Sequence, residues 1–159
     1  MKIMNKFQKK LANRKKDNKG FSLVELIIVI AIMAILVGIV GTQVIPYIQK
    51  SKKAKDIQKI SSLCTDAMTA YSSNASTLTD AKYTITIDAS GVSVTTGSTN
   101  KATLENEFKS LSNLTNLDSL GLESNDGGNV SKIEIDCENS TPMITVKVTG
   151  GDFETITSK

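Results

Sequence analysis

Few residues in this chain are equipped for chemistry. Its 159 residues include no histidine and no tryptophan, which removes the commonest general base and metal ligand. Cys64 and Cys137 are the only thiols. Asp118, Glu123 and Asp126 gather around Gly127 and Gly128. Hard oxygen ligands in a glycine loop could hold calcium, and a turn with ordinary solvated acids fits the same letters. There is no glycine-rich phosphate loop and no metal-spaced cysteine cluster, so neither an enzyme nor a cofactor is expected. The most unusual ionisable group is Glu25. It is the only one between Phe21 and Gly41, and Leu26 to Gly41 carries no polar side chain at all. A carboxylate inside such a run is costly in lipid, which points to a function.

The element that positions Glu25 is an apolar helix. Twenty-one residues at 1.5 Å each span about 31 Å, enough for a bilayer core of roughly 30 Å. Ahead of it, residues 1–20 hold eight Lys/Arg and one Asp. An ordinary secretory signal has its apolar region before the cut. Here the apolar segment follows Gly20 and would survive processing. The positive-inside rule keeps the basic stretch cytoplasmic and sends everything after Pro46 outside. An uncleaved signal anchor with a basic tail is the plainer alternative.

The run Gly20-Phe21-Ser22-Leu23-Val24-Glu25, followed by the apolar helix, resembles the prepilin signature of type IV pilins and the related pseudopilins. The resemblance covers about residues 15 to 60. It implies cleavage after Gly20 by a membrane-embedded prepilin peptidase, and methylation of the new N-terminal Phe21 by the same enzyme. Glu25 then falls fifth in the mature chain, at the family's glutamate, where pairing with a neighbour's amine would serve assembly. The implied partners are the peptidase, the inner-membrane assembly machinery, the membrane before assembly, and further copies of the chain in a helical filament. The precursor would be a single-pass membrane protein and the assembled form an extracellular filament. The family usually has glycine where this chain has Ala34 and proline where it has Thr42. Gly38 and Gly41 weaken the helix near its outer end and Pro46 cannot donate a hydrogen bond, so any loosening is expected between Gly38 and Pro46.

Three segments follow: a cleaved leader at 1–20, a membrane or filament-core helix at 21–47, and an amphipathic helix half plus head domain at 48–159. After Pro46, Ile57, Ile60, Cys64, Ala67, Met68 and Tyr71 recur at helical spacing and form one apolar stripe. Lys50, Lys52, Lys53, Lys55 and Lys59 crowd the start of this half. They read as a solvated face, as contacts to anionic lipid head groups, or as contacts to an acidic neighbour. The helix is expected to end in Ser72–Asn74.

Beyond it, Tyr83, Ile85 and Ile87 alternate, Asp88–Gly91 supplies a turn, and Val92 and Val94 alternate again. Leu104, Phe108 and Leu111 mark a short amphipathic helix. Residues 130–138 and 144–148 alternate as strands, and Phe153–Thr157 is a candidate last strand. Each strand has one apolar face, which needs a single cover. The predicted fold is α+β, a long helix packed in its second half by an antiparallel sheet, which is also the pilin arrangement.

From Ile60 onward the chain holds six Lys and thirteen Asp/Glu. That acidity argues against a nucleic-acid surface. Cys64 and Cys137 should face the same interface, and an extracytoplasmic domain permits a disulfide. Packed layers lie roughly 10 Å apart, while bridged Cα atoms approach within about 7 Å. Geometry thus favours free buried thiols, with a bridge left open. The structural subunit of a filament (a major pilin) is the first functional reading. A minor pilin, or a competence or secretion-type pseudopilin with a binding or DNA-uptake role, is the alternative.

Overall fold

The computed structural model describes residues 20–97, 99–141 and 143–158. All of the expected leader except Gly20 lies outside the described residues. The chain divides into two compact units between Gln43 and Val44.

In the first unit, helix α1 runs Leu23–Ile39. Its start is set by Ser22, whose backbone is extended (φ −65°, ψ 142°). The Ser22 hydroxyl accepts the Val24 N–H at 3.3 Å, and Glu25 Oε2 accepts the Ser22 N–H at 2.8 Å. This reciprocal capping box satisfies donors that a helix start otherwise leaves without partners. No residue of α1 is buried.

Val40–Val44 is a π-helical turn. Pro46 accounts for it: proline has no N–H for the carbonyl four residues back, and its ring collides there. A wider turn just ahead relieves that conflict. Thr42 Oγ1 donates to the Gly38 carbonyl at 3.0 Å within it. The predicted weak stretch, Gly38 to Pro46, contains this departure. Helical structure nonetheless continues without a break from Leu23 to Ser73.

The second unit begins with helix α2, Ile45–Ser73, which ends at the expected Ser/Asn cluster. The hairpin follows as β1 (Lys82–Asp88) and β2 (Gly91–Thr96). Helix α3 spans Lys101–Ser112. The loop-like stretch after it contains two 3-10 turns, Asp118–Leu120 and Gly127–Asn129. Strands β3 (Lys132–Glu138), β4 (Ile144–Thr149) and β5 (Ile156–Thr157) complete the domain. The last strand is two residues long rather than five, because Phe153 leaves the sheet and lies 5.7 Å from the Lys53 ammonium.

All pairings are antiparallel, in the order β2-β1-β3-β4-β5. The register aligns apolar rows across the sheet: Tyr83 with Cys137 and Ile144, and Ile85 with Ile135 and Val146. These six side chains are fully buried. Ile60, Leu63, Ala67, Ala70 and Tyr71 of α2 supply the cover. Tyr83 keeps its hydroxyl satisfied inside the core, accepting from the Asp80 N–H and donating to the Thr99 carbonyl at 2.9 Å. The fold is therefore α+β, a long N-terminal helix whose later part packs on a five-stranded antiparallel sheet, an arrangement like that of type IV pilins.

One expectation along the stripe is corrected. Ile57 is 41% exposed, while its neighbour Asp56 is fully buried. The loop after α3 covers the Asp56 side of the helix and offers it hydrogen-bond donors.

Candidate functional site

The helix start brings together the residues that the sequence singled out. Gly20 is exposed, and a Cβ built on it meets no described atom within 4 Å. Nothing in the described chain demands glycine there, so a requirement for glycine would have to come from whatever reads this site. Phe21 is 89% exposed. Glu25, four residues on, folds back on Ser22 through the capping box. An S-x-x-E pattern ahead of an apolar run is the sequence sign of such a box, and here it assigns Glu25 a local partner.

Residues 15–41 match the family described as the prokaryotic N-terminal methylation motif. The chain carries a type IV pilin-like prepilin signature. No curated protein and no solved structure matches it. The prepilin match spans the basic residues before Gly20, the Gly20–Glu25 run and α1, and it ends at Gly41.

Beyond the prepilin match, polar residues of α2 hold the loop around Gly121–Gly128. Gln49 Oε1 accepts the Asn125 N–H at 3.2 Å. Lys53 pairs with Asp126 at 2.9 Å and with Asp152 at 2.8 Å. These two carboxylates, Asp152 foremost, raise the Lys53 pKa above its usual value. Lys59 donates to the Gly121 carbonyl. Asp56 takes three donors: Glu123 N–H at 2.9 Å on Oδ1, then Ser124 N–H at 2.9 Å and Ser124 hydroxyl at 2.6 Å on Oδ2. Burial pushes its carboxyl pKa up, but the Ser124 and Glu123 donors outweigh that and hold it below the ordinary value.

The candidate calcium residues are thus occupied differently. Asp126 is paired with Lys53, and the Glu123 main chain faces Asp56. Among the described residues, no three His, Cys, Asp or Glu side chains gather as a metal-holding group. Cys64 and Cys137 are both buried and free. Burial, followed by the neighbouring Asp136 and Cys64, pushes the Cys137 thiol up to about 12. On the opposite sheet face, Asp136 accepts from Thr84 at 2.9 Å and pairs with Lys147 and Lys82 at 2.8 and 3.0 Å.

Proposed function

We propose that this chain is the major subunit of a type IV pilus-like filament. It is made as a membrane prepilin with its leader (1–20) in the cytoplasm. Prepilin peptidase cuts it after Gly20 and methylates Phe21. The segment 21–47 then leaves the membrane, with the help of the assembly machinery, to form the filament core, and 48–159 forms the outer head. The role is structural, with no catalytic step.

The observation that carries this reading is α1, apolar in every residue but Glu25 and, among the described residues, without one that is buried. Each large aliphatic side chain left in water forgoes about 1.5–3 kcal/mol. Lipid before assembly, and other copies of the same helix after it, supply what the rest of the chain does not.

Glu25 has a distinct part in that exchange. In the membrane its carboxylate is softened by the Ser22 N–H and by head-group water at the edge. In a bundle of apolar helices water is excluded, and an unpaired carboxylate is strongly unfavourable. The amine that processing creates on a neighbour's Phe21 would pair with it and fix the axial offset. Glutamine preserves a capping box, so Glu25→Gln isolates the charge. A charged hydrogen bond of about 1.5–3 kcal/mol lost per contact predicts roughly tenfold fewer surface filaments or worse. Processing and membrane insertion should be unchanged.

Mass spectrometry of the mature N-terminus tests cleavage and methylation together, and Gly20→Val should block both. An unmethylated, uncut N-terminus, or Glu25→Gln cells with filaments at wild-type abundance, refutes the proposal. Sheared surface filaments composed mainly of another subunit would favour the minor-pilin role.

A further inference from the structure

The five lysines at the start of α2 are not equivalent. Lys53 is held by Asp126 and Asp152, and Lys59 by the Gly121 carbonyl. Lys50, Lys52 and Lys55 have no acidic partner among the described residues. At 100° per residue these three sit at about 0°, 200° and 140° around the helix axis, within roughly 7.5 Å along it. They spread over about 200° of the helix circumference, more than one side of it, while the loop held by Gln49 and Lys53 covers the helix beside them. A protein neighbour on one side would reach one or two of them, whereas a head-group layer that meets all the helix surface the loop leaves open reaches all three.

We infer that Lys50, Lys52 and Lys55 form a basic collar that binds anionic phospholipid head groups where the helix emerges from the bilayer. The inference rests on the reading of residues 21–47 as the membrane segment. Two further observations favour lipid. Tyr47, 77% exposed, lies three residues before Lys50, at the position of an interfacial aromatic anchor. The chain from Ile60 onward is acidic and is repelled by an anionic surface, so the collar supplies the attraction that the head lacks. Lys50 is about 7.5 Å of helical rise beyond Ile45, inside the Debye length of about 8–10 Å over which such attraction acts. Lys53 and Lys59 meanwhile keep the loop on the helix, so the two sets of lysines do separate jobs.

The test uses the full chain, reconstituted sparsely in phosphatidylcholine vesicles with or without about one-third phosphatidylglycerol, enough to give the surface a negative potential. Lysines are acylated and read residue by residue by mass spectrometry. Labelling of Lys50, Lys52 and Lys55 should slow about fivefold or more with phosphatidylglycerol at low salt, and about 0.5 M salt should restore it. Lys101, exposed on α3, should label equally in both vesicles. Lys53 and Lys59 should be slow in both. Equal labelling of the three collar lysines in both bilayers overturns the inference. Protection that appears in neutral vesicles and grows with protein density assigns the collar to a neighbour's acids and also overturns it. A chain that fails to float with the vesicles removes the membrane reading first and the collar with it. Co-flotation without protection sinks the collar alone.

Discussion

Replacing Asp56 with alanine should release the Gly121–Gly128 loop from α2. The carboxylate accepts three hydrogen bonds, at 2.9, 2.9 and 2.6 Å, from a site with no solvent access. Bonds to a charged acceptor contribute about 1.5–3 kcal/mol each, so the gross loss is roughly 5–9 kcal/mol. The loop can fray, and the freed Glu123 and Ser124 donors then regain water. A net destabilisation of about 3–5 kcal/mol is expected, the range for removing one member of a buried charged network. Asparagine keeps one acceptor but turns an NH2 group toward a donor, so Asp56→Asn should cost about 1–3 kcal/mol.

Urea unfolding of a soluble fragment beginning near Gln49 measures the loss, and amide exchange locates it. Exchange at Glu123 and Ser124 should accelerate in step with the stability lost, while the Ile135 amide reports global opening. The pH dependence carries its own sign. The Asp56 pKa is lowered from 3.8 by its donors, so the stabilisation is fully present above that value. It is lost as pH falls through the still lower folded value. Wild type and Asp56→Ala should therefore converge in stability as the pH is taken from about 7 to about 2. Unchanged exchange at Glu123 and Ser124 in Asp56→Ala, or a stability gap that persists undiminished in acid, would refute the argument.

Three other outcomes follow from the same packing. A Cβ at Gly127 would stand 2.5 Å from Asp56 Oδ2 and 2.7 Å from the Leu122 Cβ, whereas one at Gly128 meets nothing within 4 Å. Gly127→Ala should therefore cost about 1–3 kcal/mol, and Gly128→Ala should stay within about 0.5 kcal/mol of wild type in the same unfolding assay. Denatured, unreduced protein should titrate two free thiols. In the native state Cys137, with its pKa near 12, should resist thiolate-dependent labelling until the domain unfolds. Ile135→Ala, at the centre of the buried rows, should cost about 2–5 kcal/mol, and a fragment that is unfolded from the outset would overturn the view of the head as a self-sufficient domain.

What could be read from the chain alone was governed by the range of the interactions involved. The β1–β2 hairpin, α3 and the β3–β4 pair rest on alternation or helical spacing among near neighbours, and all appear close to their predicted bounds. The prepilin signature is local as well, and even the capping box lies within four residues. Gly38, Gly41 and Pro46 likewise announced a weak stretch from their own backbone chemistry.

The Asp56 site is different in kind. Its donors are 67 and 68 residues away, so no local period could show which side of α2 they would cover. On apolar pattern alone Ile57 belonged inside and Asp56 outside, and the loop reverses that order because three donors suit a carboxylate better than an isoleucine. The same loop divides the lysines. Gln49, Lys53, Asp56 and Lys59 follow one another at intervals of three and four, which sets them along one side of the helix, and all four are engaged by residues of the loop. That periodic polar stripe was present in the sequence, hidden inside what read as an undifferentiated basic run. Its partners made it visible, and the lysines that remain once it is taken out are the three left to face a surface outside the chain.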